Sequence, residues 1–393
     1  MNTFNFDEEI NRYGTSCVKY DSLDSRFGTK DVLPMWVADM DFKTPPCVIN
    51  AIKARAEHPI LGYTFADESY YQAICDWQWR RHGWRIAPHQ IGFLPGIVVG
   101  MAYCIKAMTA PGDKILIQSP VYPPFRNLVE KNGRQVVCNS LDNDGIRFQI
   151  DFDDLEKKLS DGCKMMLLCN PHNPGGRIWE REELQQIAQL CHRYGVLVVS
   201  DEIHADLVLP GNKHLPFACV SEEAADNCIT LSAPSKTFNM AGLGSSYFIA
   251  GNEAVRYKLE TYLEASELNN GHLFAFCTTE AAYREGEAWL SQLLDYIAGN
   301  VRLVQDFMAE HLPQIKVMVP QASFLIWLDF RALHLEQAAL VEFLLKKAQL
   351  ALNDGQSFGI EGRGFMRMNV GTTRATVEKA LAQLKKAIDE GSF

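Results

Sequence analysis

Residues 164 to 204, KMMLLCNPHNPGGRIWEREELQQIAQLCHRYGVLVVSDEIH, hold two short apolar runs with a polar-faced segment between them. The runs MMLLC and VLVV show no polar alternation, which suits strands buried on both faces. Between them, Leu184, Ile187, Ala188 and Cys191 fall at i, i+3, i+4 and i+7, one stripe of a helix, and Gly195 stands where a C-terminal cap belongs. The local rule is strand, helix, strand.

The same kind of run recurs in KILIQSP, RQVVCNSL, NCITLSAPS and SSYFIAG. The expected architecture is α/β, a mainly parallel sheet with helices on both faces and a ligand crevice beyond the carboxyl ends of the strands. The last hundred residues differ. ASFLIWLDF and FMRMNV read as strands around the turn-rich LNDGQSFGIEGRG, and TRATVEKALAQLKKAIDE reads as a closing amphipathic helix, so a smaller α+β domain is expected there. The expected boundaries are 46–285 for a large domain and 1–45 with 286–393 for a small one, with an active site between them.

Bulk properties narrow the function. A chain of 393 residues with 47% hydrophobic content builds sizeable cores, about two to three domains by length. A formal charge of −10 and the absence of any run of five basic residues argue against nucleic acid as a partner and for small molecules. The start, MNTFNFDEEINRYGT, has neither a basic n-region nor an apolar h-region, and no segment reaches the ~18 apolar residues of a bilayer span. A cytoplasmic protein is expected. Eleven cysteines without a C-x-x-C pair fit buried thiols in a reducing compartment, with no metal site.

Several residues just after the apolar runs carry chemistry. Asp201 and His204 follow VLVVS; taken alone, Asp201 reads first as a helix cap or turn former and His204 as a satisfied structural histidine. Asn173 lies in the turn CNPHNPGGR. Gly96, Ile97 and Val98 open an apolar helix whose first N–H groups suit a phosphate, and Tyr122 sits in SPVYPPF, stiffened by three prolines. Lys236, in LSAPSKTFNMAGLG (231–244), changes the balance, because a lysine among small residues after a buried strand is the group that forms a Schiff base. Pyridoxal 5′-phosphate requires a lysine, an anion opposite its pyridine nitrogen, a donor to its phenolic oxygen, a ring to stack on and a phosphate cradle. Lys236, Asp201, Asn173 with His204, Tyr122, and Gly96 to Val98 supply that set.

Six segments in order, LPMWVADMDF (33–42), GYT (62–64), PVYPPF (120–125), NPHNPGGR (170–177), SDEIHADL (200–207) and SKTFNMAGL (235–243), resemble the fold-type-I pyridoxal-phosphate enzymes of the class I/II aminotransferase superfamily. In closer detail they resemble the MalY/PatB family of carbon–sulfur β-lyases, the cystathionine β-lyase type. The resemblance covers almost the whole chain and implies a seven-stranded-type sheet in the large domain. It implies that Lys236 carries the cofactor and removes the Cα proton, that Asp201 keeps the pyridine nitrogen protonated, that Asn173 and His204 lie near the phenolic oxygen, and that Tyr122 stacks on the ring. Tyr63 corresponds to a tyrosine that reaches the phosphate of the neighbouring subunit, which implies a homodimer with shared active sites. Arg367 corresponds to the arginine that grips the substrate carboxylate, with Arg363 a nearby rival, and Trp36 and Ala38 become candidate substrate contacts.

Two positions depart from the wider superfamily. His204 stands where many members have tyrosine, and Gly244 stands where many have a phosphate-binding cation, eight residues beyond the lysine. Phosphate binding is then left to the helix start, Tyr63 and hydroxyls such as Ser232 and Ser235, although the serine spacing differs from the usual S-x-x-K. The expected reaction is α,β-elimination from cystathionine or another cysteine S-conjugate, giving a thiol, pyruvate and ammonia. An aminotransferase on the same fold is the nearest alternative, and a regulatory protein that binds the cofactor and acts through protein contacts is the second. A fused DNA-binding regulator is not expected, since the family pattern begins by residue 33.

Overall fold

A computed structural model describes residues 3–391. Its centre is a seven-stranded sheet of β1 (Ile91–Leu94), β2 (Lys114–Ser119), β3 (Gln135–Ser140), β4 (Cys163–Cys169), β5 (Leu197–Asp201), β6 (Cys228–Ser232) and β7 (Ser246–Ile249), in the order β1-β7-β6-β5-β4-β2-β3. All neighbours are parallel except β7, which runs antiparallel to both β1 and β6. The six apolar runs are six of these strands. The seventh, β1, is a four-residue edge strand, IGFL, interrupted by Gly92.

The lack of alternation in the runs has a direct cause. Ile115, Ile117, Met165, Leu167 and Val199 feed an apolar cluster on one face, while Leu116, Met166, Leu168 and Val198 feed another on the opposite face. The helix Ile97–Met108 covers the first face through Ile97, Met101 and Ile105. The helix Arg181–Arg193 covers the second through Leu184, Ile187, Ala188 and Cys191, the expected stripe. It ends at Gly195, whose φ of 65° is the left-handed conformation that spares glycine a Cβ clash. Burying each large aliphatic side chain stabilises the fold by about 1.5–3 kcal/mol.

A second, antiparallel sheet of β8 (Lys316–Met318), β9 (Leu325–Asp329), β10 (Asn353–Asp354) and β11 (Phe365–Asn369) runs in the order β8-β9-β11-β10. Trp327 of β9 lies opposite Arg367 of β11. Leu33–Pro34 pairs in parallel with Leu350–Ala351, so the N-terminal segment is carried on the C-terminal part of the chain. The closing helix, Arg374–Asp389, is capped by the Thr373 hydroxyl, which accepts from Thr376 N at 3.3 Å.

Function is placed by the sheet's one active edge. Strands β2 to β6 end at Ser119, Ser140, Cys169, Asp201 and Ser232, and because β7 is reversed its first residue, Ser246, lies beside Leu94, the last of β1. All seven strands therefore deliver chain to the same rim. No helix among the described residues is long and apolar enough to cross a membrane, and all eleven cysteines are free, six of them buried.

Candidate active site

Beyond that rim lies a cavity of about 220 Å³ lined by Lys236, Asp201, Asn173, His204, Tyr122, Ser235, Ala38 and the helix start Gly96–Val98, among others. Residues scattered over two hundred positions of sequence share one small space.

Lys236 sits in a four-residue helical turn, Pro234–Thr237, directly after β6. Its side chain enters the cavity and donates from Nζ to the carbonyl of Ala38. Burial pulls the amine down to about 8, with the nearby Arg367 charge acting the same way and Asp39 and Asp201 opposing. The three residues that follow are each fixed elsewhere. The Thr237 hydroxyl donates to Asp206 Oδ2 at 3.0 Å. Phe238 packs among Trp77, Tyr283 and Trp289. Asn239, in the left-handed region at φ 52°, accepts from Met40 N at 3.0 Å and donates to the carbonyls of Met40 and Phe42 at 2.9 and 2.7 Å.

Asp201 closes β5 and is 5% exposed. Its Oδ1 accepts from Ile203 N at 3.1 Å, and its backbone carbonyl accepts from Asn170 N at 3.0 Å, which ties two strand ends together. Burial pushes the carboxyl up to about 7, and the Ile203 N–H restrains it. A cationic ring nitrogen placed against it would favour its ionised form. Burial, with the charges of Lys236 and Arg367, brings His204 down to about 3, so the ring is neutral at physiological pH. Its Nδ1 is buried without a partner among the described residues.

Arg367, on β11, is buried and crosses from the small sheet. Nη1 donates to Asn173 Oδ1 at 2.9 Å, and Nη2 donates to Asn353 Oδ1 at 2.6 Å and to the carbonyl of Trp36 at 3.3 Å. Burial brings it down to about 10. Arg363 is exposed at the end of a turn, so of the two arginines Arg367 is the one that reaches Asn173 and the site.

Four expected residues do not line the cavity: Arg367, which is tied to it through Asn173, and three that lie apart from it. The indole of Trp36 turns away from it, packing edge-on against Phe27 at 5.2 Å and donating to Lys19 O at 3.1 Å; only its backbone carbonyl faces Arg367. Ser232 is still within β6, paired across the ladder with Tyr247, and does not line the cavity. Tyr63 is fully exposed in the irregular segment 58–67, beside the exposed Ile60, Leu61 and Phe65, and does not line the cavity of its own chain.

Other residues escaped the sequence reading. Ser245 is 2% exposed, lines the cavity and has a hydroxyl with no partner among the described residues. It follows Gly244, whose φ is 54° and where an added Cβ would stand 3.2 Å from Pro95 O, so this turn abuts the helix start. The available signal was a hydroxyl directly after the position lacking a cation. Asn239 and Asp206 also went unassigned, though both belong to quoted motifs.

These features bear on cofactor fit. The cavity gathers an amine of lowered pKa, a buried carboxylate, a neutral imidazole with a spare nitrogen, an aromatic ring, and at one end a helix N-terminus beside an orphaned hydroxyl. That set matches the needs of pyridoxal 5′-phosphate point by point.

Fold and site together define a pyridoxal-phosphate enzyme built on a large, mostly parallel sheet. The family model for aminotransferase class I and II matches residues 30–384, and the chain belongs to that family. It is 46% identical over 386 residues to cystathionine beta-lyase PatB of Bacillus subtilis (strain 168), across 98% of this chain and 100% of that protein. Among solved structures it is similar to cystalysin from Treponema denticola, which contains a pyridoxal 5′-phosphate cofactor, with TM-score 0.95 and 35% identity over the whole of both chains. It is similar also to a PLP-bound putative aminotransferase from Clostridium difficile 630, with TM-score 0.96 and 39% identity over 98% of this chain and 100% of that one.

Proposed function

We propose that this protein is a pyridoxal-phosphate-dependent carbon–sulfur β-lyase that cleaves cystathionine or a related cysteine S-conjugate to a thiol, pyruvate and ammonia. The observation that carries the reading is the end-to-end 46% identity with a protein named cystathionine beta-lyase, on a chain whose cavity gathers the residues such a reaction needs. When bound, the cofactor supplies a sink for the electron pair left at Cα as its proton departs.

The chain's own residues do the rest. Lys236 takes the Cα proton; an amine lowered to about 8 is neutral in a useful fraction of molecules near neutral pH and reprotonates readily. Asp201 holds the ring nitrogen's proton. The Arg367 fork takes the substrate α-carboxylate in a bidentate manner, with Asn353 and Trp36 O steadying the far side of the guanidinium. Segment 38–42, clamped by Asn239, closes one side and excludes water. The phosphate end is formed by Gly96–Val98, Ser235 and Ser245.

The active unit in this reading is a cytoplasmic homodimer in which Tyr63 serves the neighbouring subunit, in keeping with its exposure among other bare apolar side chains. Residues 46–285 form the cofactor-holding domain, and 1–45 with 286–393 the smaller one; the pairing of Leu33–Pro34 with Leu350–Ala351 supports that division.

The test is pyruvate release from cystathionine by the purified, cofactor-loaded protein with no 2-oxo acid present, beside Lys236→Ala. Pyruvate from the wild type and none from the variant supports the lyase. Turnover that requires a 2-oxo acid acceptor replaces it with an aminotransferase.

A further inference from the structure

Asp206 belongs to SDEIHADL but faces away from the cavity, and nothing in the proposed chemistry uses it. It is 4% exposed, and its carboxylate collects three donor groups from two separate elements. Trp77 Nε1, on the helix Glu68–His82, lies 3.1 and 3.0 Å from its two oxygens, His82 Nε2 lies 2.9 Å from Oδ1, and the Thr237 hydroxyl donates to Oδ2 at 3.0 Å. Against the upward push of burial, the hydrogen bond and charge of His82 bring the carboxyl below its ordinary range, so it stays an acceptor for all of them.

Thr237 is the residue after Lys236. The turn that carries both is four residues long, begins at Pro234 and has no side-chain cap. A helix that short does not hold itself, because nucleation is unfavourable without outside contacts. Successive side chains on a helical turn diverge by about 100°, so fixing the direction of Thr237 fixes the direction in which Lys236 leaves the backbone.

We propose that Asp206 is a positioning residue for Lys236, acting through the Thr237 hydroxyl to set the rotation of the lysine-bearing turn. Two of the family motifs, SDEIHADL and SKTFNMAGL, thereby interlock behind the site. The proposal rests on the cofactor reading above, since Lys236 matters as the residue that holds the cofactor and moves the proton.

The experiment compares Thr237→Val, which keeps the shape and removes the hydroxyl, with Thr237→Ser, which keeps the hydroxyl. Both are loaded with pyridoxal phosphate and followed by three measurements: the midpoint of the pH-dependent visible absorbance without substrate, kcat and KM for cystathionine, and the melting temperature. Thr237→Val is expected to move the midpoint and lower kcat by about 10- to 100-fold with little change in KM, and Thr237→Ser to return both toward wild type. If the valine variant does not fold, Thr237→Ala gives the same readout. A valine or alanine variant with wild-type midpoint and kcat, however much its melting temperature falls, overturns the proposal by reducing Asp206 to a structural role. A wild type with no visible absorbance overturns the cofactor reading and this proposal with it. A wild type with absorbance but no pyruvate removes only the lyase reading, and the absorbance midpoint then decides alone.

Discussion

The two ends of the cavity are built on opposite principles. At the lysine end, charges are close and tethered: Arg367 holds three acceptors, Asp201 is bonded to Ile203 N, and the turn after β6 is anchored through Thr237, Phe238 and Asn239 in succession. At the helix-start end no charged side chain lines the cavity among the described residues; Gly96, Ile97, Val98, Gly244, Ser235 and Ser245, whose hydroxyl is unused, are found there. Catalytic groups must be held in one orientation, whereas a phosphate can be held by backbone N–H groups and hydroxyls that carry no charge.

Substitution at each end tests that contrast. The largest effect is expected at Arg367. Replacing its planar fork by the point charge of lysine, Arg367→Lys, is expected to lower kcat/KM for cystathionine by about 100-fold, while Arg363→Lys, on the exposed rival, changes it by less than about twofold; equal losses would erase the distinction between the two arginines. Next comes the neutral end. Ser245→Ala is expected to weaken pyridoxal phosphate binding by about tenfold, the worth of one hydrogen bond to a charged group, and to leave the binding of pyridoxal, which lacks the phosphate, unchanged. Fluorescence titration of apoprotein with both compounds measures it, and equal weakening would place Ser245 elsewhere.

An effect of similar size sharpens the charged end. With Lys236 brought down to about 8, its reactive neutral form grows with pH through that value and then saturates. Cofactor capture by apoprotein should therefore rise about tenfold between pH 7 and 9 and then level off. A rise that continues toward the ordinary lysine value of 10.5 would show the amine to be unperturbed.

The same contrast explains what the sequence disclosed. Lys236, Asp201 and Asn173 were legible because each follows a buried apolar run, and in such sheets chemistry gathers at strand ends. The six long runs were legible because both faces of the sheet are covered. What the sequence hid depends on pairing. That β7 is antiparallel, and so brings Ser245 beside the helix start, is a fact about strand direction that hydrophobic pattern does not encode. Ser232 was misplaced for a related reason: it is the last residue of β6, still paired with Tyr247 across the ladder. Trp36 was misplaced because only its backbone carbonyl faces Arg367; the indole belongs to a satellite cluster with Leu23 and Ala351.

The threading of the N-terminal segment also bears on how the molecule matures. Residues 33 to 42 take hydrogen bonds from or give them to Gln349, Ala351, Asn369, Gly371 and Asn239. A stretch made among the first on the ribosome thus waits for partners made among the last, and contacts so distant in sequence form late. The wall whose Ala38 carbonyl accepts from Lys236 Nζ is completed only when almost the whole chain has emerged.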